Sequence, residues 1–301
     1  MRMLQGGAYV LRSSLVLMAM FTITALGLCS TQVVAELPWK RGMLKERLLL
    51  KQSKTCRTAT HRWPTSWPEE TKPPQGFIAI FNTRDTSGWR GGETFDHRKL
   101  LAMTAEQRAE QIKKWTAADQ TNSMLEVNPK TGKPHWYIEN GELVNDGFGA
   151  YASTEKDYGD FELFVEYKTV PKADSGVYLR GVPQVQIWDS TEPDPQGIGK
   201  AKGSGGLWNN SPGTPGKDPM VLADKPFGEW NKFHIVMKGA KVTISLNGML
   251  VVDNATMENF YDRTIGMPEK GPIQLQTHGG EIRWRNIFIR DNGVSPVAKV
   301  Q

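Results

Sequence analysis

The sequence predicts an all-β fold, a jelly-roll sandwich of two antiparallel sheets carrying a short helical insertion. Three observations lead there. From Gly76 onward, short runs rich in Val, Ile, Phe, Tyr and Trp are separated by turn residues, with no helical pattern between most of them. The run "DFELFVEYKTV" alternates strictly, with Phe161, Leu163, Val165 and Tyr167 on one face and Glu162, Phe164, Glu166 and Lys168 on the other. Glu139-Asn140-Gly141 and Asn247-Gly248 carry the residues that tight hairpin turns require. Many strands without intervening helices argue for two packed sheets rather than a parallel α/β layer.

The elements follow in order. "GFIAIFN" reads as the first strand and "WYIENGELVND" as a hairpin. The strands "DFELFVEYKTV", "SGVYLRG", "PQVQIWD" and "EWNKFHIVMKG" come next, then the hairpin "KVTISLNGMLVVD", and finally "GPIQLQTHG" and "EIRWRNIFIRD". Two insertions break this rhythm. In the first, residues 91–133, Thr104 and Gln107 have capping-box spacing, and Ala105, Ala109, Ile112 and Trp115 share a helical face. Such a helix suits either a packing element over a sandwich edge or a lid over a ligand cleft. The second, "GIGKAKGSGGLWNNSPGTPGKDP", fits neither the phosphate-cradling loop nor the dinucleotide fingerprint, which argues against nucleotide or dinucleotide binding. Its Trp208, Asn209 and Asn210 are suited to a sugar ring.

The front of the chain differs from the rest. Arg2 and Arg12 precede an apolar run from Leu15 to Leu28, and Val33-Val34-Ala35 offers small residues for cleavage before Glu36, so residues 1–35 read as a signal peptide. The run falls short of the roughly 20 apolar residues of a membrane-spanning helix, and Cys29 follows the bulky Leu28 where a lipid-attachment site wants a small residue. Any membrane association would therefore come only through an uncleaved or lipidated leader, and the expected location is extracytoplasmic. Cleavage leaves Cys56 alone, which closes no intramolecular disulfide. Residues 1–75 hold eleven Lys or Arg against four acidic residues, leaving 26 against 28 beyond. The folded part is nearly neutral, which excludes a basic nucleic-acid-binding surface. Residues 36–75 read as a basic linker, 76–291 as the folded domain and 292–301 as a tail.

The succession "GFIAIFNTRDTSGW", "IENGELVN", "YGDFELFVEYK", "DSGVYLRGVPQVQIWD", "PFGEWNKFHIVMKG", "LNGMLVVD" and "GPIQLQTHGGEIRWRNIFIRD" resembles the 3-keto-disaccharide hydrolase family, formerly a domain of unknown function. The two insertions resemble those of its planctomycete-type branch. The resemblance implies a concanavalin A-like jelly roll and a carbohydrate substrate oxidised at C3. Oxidation there acidifies the C2 hydrogen, so a base can remove it while the glycosidic oxygen leaves from C1. Such an enzyme needs a base, a donor or cation for the enediolate, and an acid for the leaving oxygen.

In a jelly roll the polar face of one sheet forms the cleft, so candidates should alternate onto one face of neighbouring strands. Glu166, Asp189 and His278 are the candidate catalytic residues. Arg180, Gln186, Trp188, Trp208, Asn209 and Gln276 are the candidate substrate-binding residues. Arg180 with Glu166 also fits a structural cross-strand ion pair. Glu166, Asp189 and His278 are types that hold a divalent cation, yet no compact metal motif is present, so no cofactor is demanded. Two readings of different class stand: an exported enzyme cleaving 3-keto-glycosides, as a lyase or with net hydrolysis, and a lectin-like binding module on the same sandwich. A retaining glucanase fits less well, because Glu162 and Glu166 lie ~13 Å apart along one strand, where paired carboxylates need about 5–5.5 Å.

The leader reading has a direct outcome. Mass spectrometry of the native protein should find a chain beginning near Glu36 outside the cytoplasm, whereas an intact Met1 in the cytosolic fraction contradicts it.

Overall fold

The computed structural model of the protein describes residues 72–293. The leader, the segment that follows it up to residue 71, both cysteines and residues 294–301 lie outside the described residues. In chain order the elements are β1 (Ile78–Ala79), β2 (Trp89–Gly92), α1 (His97–Ala102), α2 (Ala105–Thr116), β3 (Trp136–Glu139), β4 (Glu142–Asn145), β5 (Tyr151–Thr154), β6 (Asp160–Thr169), β7 (Asp174–Leu179) and β8 (Val182–Trp188). After a single 3₁₀ turn come β9 (Asn231–Lys238), β10 (Lys241–Leu246), β11 (Met249–Thr256), β12 (Gln274–Leu275) and β13 (Ile282–Gly293).

The strands form two antiparallel sheets, as the alternation predicts. The larger runs β11-β10-β9-β6-β13-β4-β3, with β1 also paired to β13, and the smaller runs β2-β5-β12-β7-β8. The alternation in β6 sends Phe161, Leu163, Val165 and Tyr167 into the core, where none is more than 1% exposed. Val177, Leu179, Val185 and Ile187 of the smaller sheet join the same core cluster, together with Trp136, Phe233 and Trp284. Each large side chain buried in this way stabilises the fold by roughly 1.5–3 kcal/mol. The two predicted hairpins close on consecutive residues of positive φ, Asn140 (52°) with Gly141 (77°) and Asn247 (54°) with Gly248 (83°), the pattern of a type I′ turn.

The chain parity changes once within β8. Val177 pairs with Val185 and Leu179 with Val182, so three steps along β8 span two along β7, a β-bulge around Pro183 and Gln184. Proline is tolerated at such a point because the ladder there needs no donor from it. Beyond the bulge, Val185 and Ile187 face the core, while Gln184, Gln186 and Trp188 take the opposite face.

The first insertion contains two helices, α2 being the one that the capping signal predicts. Thr104 Oγ1 accepts from the Gln107 N–H at 3.2 Å, and the Gln107 side chain accepts from the Thr104 N–H at 3.1 Å. Of its two readings, the helix takes the packing one. Trp115 is buried against Phe95 at 5.5 Å between ring centres, and the Gly91 N–H on the free side of β2 donates to Thr116 Oγ1 at 2.8 Å. α2 therefore covers an edge of the smaller sheet.

A Cβ built on Gly91 would sit 1.7 Å from the Trp115 carbonyl oxygen, whereas one on Gly266 meets nothing. Gly91→Ala should lower stability by about 3 kcal/mol, the upper end of usual overpacking losses, or more. Gly266→Ala should stay within about 0.5 kcal/mol of wild type. Urea unfolding midpoints of the two variants check this; equal midpoints would show that α2 does not dock tightly on β2.

Candidate functional site

The face of the smaller sheet turned away from the core carries a run of polar and aromatic side chains. Strict alternation puts Asp174, Gly176 and Tyr178 of β7 there, the bulge puts Gln184, Gln186 and Trp188 of β8 beside them, and β12 with its continuation adds Gln276 and His278. A cleft of about 260 Å³ lies over this face. Its far wall comes from the Gly-rich loop through Ile198, Trp208 and Asn209, with Phe260 and Thr94 completing the lining.

Two indoles make an aromatic corner. The Trp188 and Trp208 rings meet edge to face at 6.1 Å and 77°. Trp188 Nε1 donates to the Gly203 carbonyl at 3.0 Å and Trp208 Nε1 to the Ile198 carbonyl at 3.2 Å. The loop backbone thus satisfies both N–H groups, and the ring carbons are left to line the cleft, an arrangement suited to the C–H face of a sugar.

A line of hydrogen bonds crosses the strands beneath. Gln184 Nε2 donates to Gln186 Oε1. Gln186 Nε2 donates in turn to Asp174 Oδ1 at 2.8 Å, and Asp174 Oδ2 lies 3.2 Å from His278 Nδ1. Both oxygens of Asp174 are engaged, and the His278 side chain is 61% exposed at the end of the line. Its Nε2 is the nitrogen left for chemistry. The hydrogen bond to Asp174 raises the imidazole pKa, with burial and the nearby Lys200 acting in the opposite sense.

A second cluster consists of hydroxyl groups. Thr94 Oγ1 lies 2.7 Å from the Tyr178 hydroxyl and 3.1 Å from that of Tyr151, and Gln276 Nε2 reaches both phenols at 3.4 Å. Burial first, then the neighbouring Tyr151, pushes the Tyr178 phenol far above its ordinary value, so it remains a proton-bearing donor. Gln276 Oε1 and Asn209 Oδ1 are buried without a hydrogen-bond partner among the described residues. An unpaired buried acceptor costs about 1–3 kcal/mol, a penalty that a ligand's hydroxyl donors would relieve.

Gln186, Trp188, Trp208, Asn209, Gln276 and His278 are thus brought together in one cleft. Glu166, Arg180 and Asp189 are not, and their expected places need correction. Glu166 lies on β6 of the larger sheet, on the face opposite the core, where it meets Arg285 Nε at 2.8 Å and Lys232 Nζ at 3.4 Å. The sandwich core separates that face from the cleft. Arg180 follows Leu179 in a tight turn with positive φ at both Arg180 (54°) and Gly181 (71°), which swings it off the Tyr178 face. Its guanidinium is buried against Asp160 Oδ1 at 2.7 Å and the Gly159 and Pro268 carbonyls, so the expected pair with Glu166 does not form. Asp189, past the end of β8, accepts from the Lys172 N–H at 2.9 Å, the Thr191 N–H at 2.7 Å and Thr191 Oγ1 at 2.6 Å. Burial acts to raise its pKa, but these hydrogen bonds prevail and hold it low, as befits a carboxylate that ties a turn.

Several cleft groups were missed among the candidates, Asp174, Tyr178, Gln184, Thr94 and Phe260 among them. The first two share parity with Gly176 in "DSGVYL", a signal that was present. Gln184 shares the spacing of Gln186 and Trp188 but also the parity of the core residue Val182, and the bulge decides between the two faces. For a cation, the donor set does not fit. Glu166, Asp189 and His278 stand on separate elements, and among the described residues no three His, Cys, Asp or Glu side chains gather at metal-binding distance.

Fold and cleft together define a jelly-roll domain of the carbohydrate-active class. The chain belongs to the family of 3-keto-alpha-glucoside-1,2-lyase-like domains, whose model matches residues 76–290. Among solved structures it is similar to two from Parabacteroides distasonis ATCC 8503 described as candidate glycosyl hydrolases. One is 21% identical, covers 72% of this chain and 84% of that one, and has a TM-score of 0.48. The other is 20% identical, covers 72% and 94%, and has a TM-score of 0.46. A carbohydrate binding module from Bacillus subtilis is 11% identical over 50% of this chain and 88% of that one, with a TM-score of 0.31. No curated protein matches the chain.

The His278–Asp174 contact makes a titration prediction. Because the folded-state pKa is raised, the pair stabilises the fold below the ordinary imidazole value of about 6.5, and that contribution fades as pH rises through the raised value. Histidine NMR titration should place the His278 midpoint above 6.5 in the wild type and nearer 6.5 in Asp174→Asn; equal midpoints would show that Asp174 does not govern the imidazole.

Proposed function

We propose that the protein is an exported enzyme that cleaves 3-keto-glycosides by elimination, with addition of water completing a net hydrolysis. The observation that carries this reading is the hydrogen-bond line ending in His278, set in the same cleft as the un-ionised Tyr178. Neutral His278, with Nδ1–H held on Asp174, has its Nε2 lone pair available to take the C2 proton of the substrate. The carboxylate of Asp174 stabilises the imidazolium that results. As the C2–H bond breaks, its electrons move into the C3 carbonyl and make an enediolate. The phenol of Tyr178 and the amide of Gln276 are donors suited to that oxygen.

Collapse of the enediolate expels the oxygen at C1, which takes up a proton. The products are a free alcohol and an enone with a C1=C2 double bond, and water adding at C1 restores a keto sugar. Trp188, Trp208 and Phe260 would hold the rings, with Gln186, Asn209 and Gln276 fixing the hydroxyls. Glu166, Arg180 and Asp189 take no part in this scheme, because ion pairs and turn hydrogen bonds occupy them outside the cleft.

Incubation with a 3-keto-disaccharide beside its unoxidised parent tests the reading. The keto sugar should be cleaved and the parent hardly at all, since only the ketone acidifies the C2 proton. His278→Ala should lower turnover by about two to four powers of ten, the usual contribution of a positioned base, while Glu166→Gln leaves the activity per folded molecule unchanged. kcat/KM should rise with pH through the raised His278 pKa, because the base must be neutral. Saturable sugar binding without product from either substrate would make the domain a lectin-like module instead.

A further inference from the structure

A larger cavity, of about 410 Å³, lies between the segment that follows α2 and the turn joining β4 to β5. It takes no part in the chemistry above, and its volume falls in the roughly 300–1,000 Å³ range of small-molecule sites. We propose that it is a second carbohydrate-binding site, which holds a neutral saccharide against Phe148.

The sequence builds an aromatic platform there. Phe148 is 62% exposed, although a phenyl ring left in water forgoes the stabilisation that its burial would bring. It is also held firmly in place. Its N–H donates to Asp146 Oδ1 at 3.1 Å and its carbonyl accepts from Asn145 Nδ2 at 2.9 Å. The flanking Gly147 and Gly149 have φ of 93° and 79°. A Cβ on Gly149 would lie 2.8 Å from the His135 side chain, so glycine alone lets the turn close onto His135. The His135 and Phe148 rings stand 6.1 Å apart. An exposed ring at the rim of a concavity, carried on a backbone fixed by these hydrogen bonds, is suited to the apolar face of a pyranose.

The polar groups beneath the ring suit hydroxyls. His135 Nδ1 lies 3.0 Å from both oxygens of Asp146, a contact that orients the ring and leaves its Nε2 edge toward the cavity that His135 lines. Glu126 Oε2 stands 3.8 Å from that nitrogen, too far for a hydrogen bond between them. The Nε2 edge of His135 and the Glu126 carboxylate, side by side, match two neighbouring hydroxyls of a vicinal diol, each of which can donate or accept. Lys130 also lines the cavity, but the Glu126 carboxylate in its wall and the Asp146 carboxylate behind His135 disfavour an anion. The arrangement also disfavours a protein partner, whose interface would need about 1,000 Å² of flat contact rather than a walled cavity with polar groups at its base.

The site adjoins the first one through the backbone. Thr277 Oγ1, next to His278, donates to the Gly149 carbonyl at 2.7 Å, so the Phe148 turn is fastened to the strand that carries the catalytic candidate. The second site nevertheless needs none of the proposed elimination chemistry.

The test is an NMR titration of the mature chain with methyl glucoside, cellobiose, maltose and their trimers, with cyclohexanol as an apolar control without the diol. Saturable shifts of the His135 ring and Phe148 resonances are expected with the sugars and not with cyclohexanol. Phe148→Ala, which truncates an exposed ring and spares the fold, should weaken that binding about tenfold, and Phe148→Trp should retain it. Turnover of a 3-keto-disaccharide should be unchanged in both variants. The proposal is overturned if none of the sugars moves these resonances, if cyclohexanol moves them equally, or if Phe148→Ala binds as wild type. A protein that binds at His135 but cleaves no keto sugar keeps this site and loses the elimination reading; cleavage without these shifts does the reverse.

Discussion

The site depends on one extra residue in β8. With a regular ladder, the residues sharing parity with Val182 would be Gln184, Gln186 and Trp188, and all three would point into the hydrophobic core. The bulge at Pro183 and Gln184 reverses that parity, so Val185 and Ile187 take the inward places and the amides and the indole turn outward. The geometry that follows is consistent. Gly176, opposite Gln186, has no side chain, and a Cβ there would approach the Gln184 amide carbon at 3.0 Å. The amides can therefore lie along the sheet and reach Asp174, whose second oxygen orients His278.

The polar groups of the molecule divide into two kinds by what surrounds them. On the outer face of the larger sheet, Glu166, Arg285, Lys232, Glu142, Lys168 and Arg283 form cross-strand ion pairs. Pairs of this kind are worth about 0–1 kcal/mol each where water reaches them, so they decorate a sheet that the core already holds. The Arg180–Asp160 pair is different, since both partners are buried. It fastens the turn after β7 to the start of β6, and loss of one member would leave an uncompensated charge. In the cleft, by contrast, two buried acceptors, Gln276 Oε1 and Asn209 Oδ1, are without a hydrogen-bond partner among the described residues. Unpaired buried groups in a concavity lower stability and favour a ligand.

Much of the sandwich was legible before the structure because its signals are local. The alternation of β6, the two Asn-Gly turns and the capping box of α2 each follow from a few neighbouring residues, and each is found in place. Gln186, Trp188, Gln276 and His278 were readable for the same reason, as polar residues at regular spacing on strands. Glu166 shows where that reasoning stops. Alternation says that it faces away from Val165 but not which sheet its strand joins, and a polar face of the wrong sheet looks the same in sequence. Arg180 and Asp189 failed at strand ends, where two residues of positive φ or a capping turn redirect a side chain regardless of parity. Asp174 had parity as a signal, but its role comes from His278, far along the chain, and Phe148 acquires meaning only from the turn that sets it beside His135.

The position of β13 bears on how the chain reaches this state. The last strand described, Ile282–Gly293, does not sit at a sheet edge; it lies between β6 and β4 at the heart of the larger sheet and carries β1 as well. Until it has left the ribosome, β6 and β4 have no shared neighbour, and the sheet stays in two parts with open edges. Pairings of such long sequence separation are slow to form, because loop-closure entropy is lost before contacts repay it. Joining of the two parts is therefore a late event in folding, which waits until β13 itself is available to both.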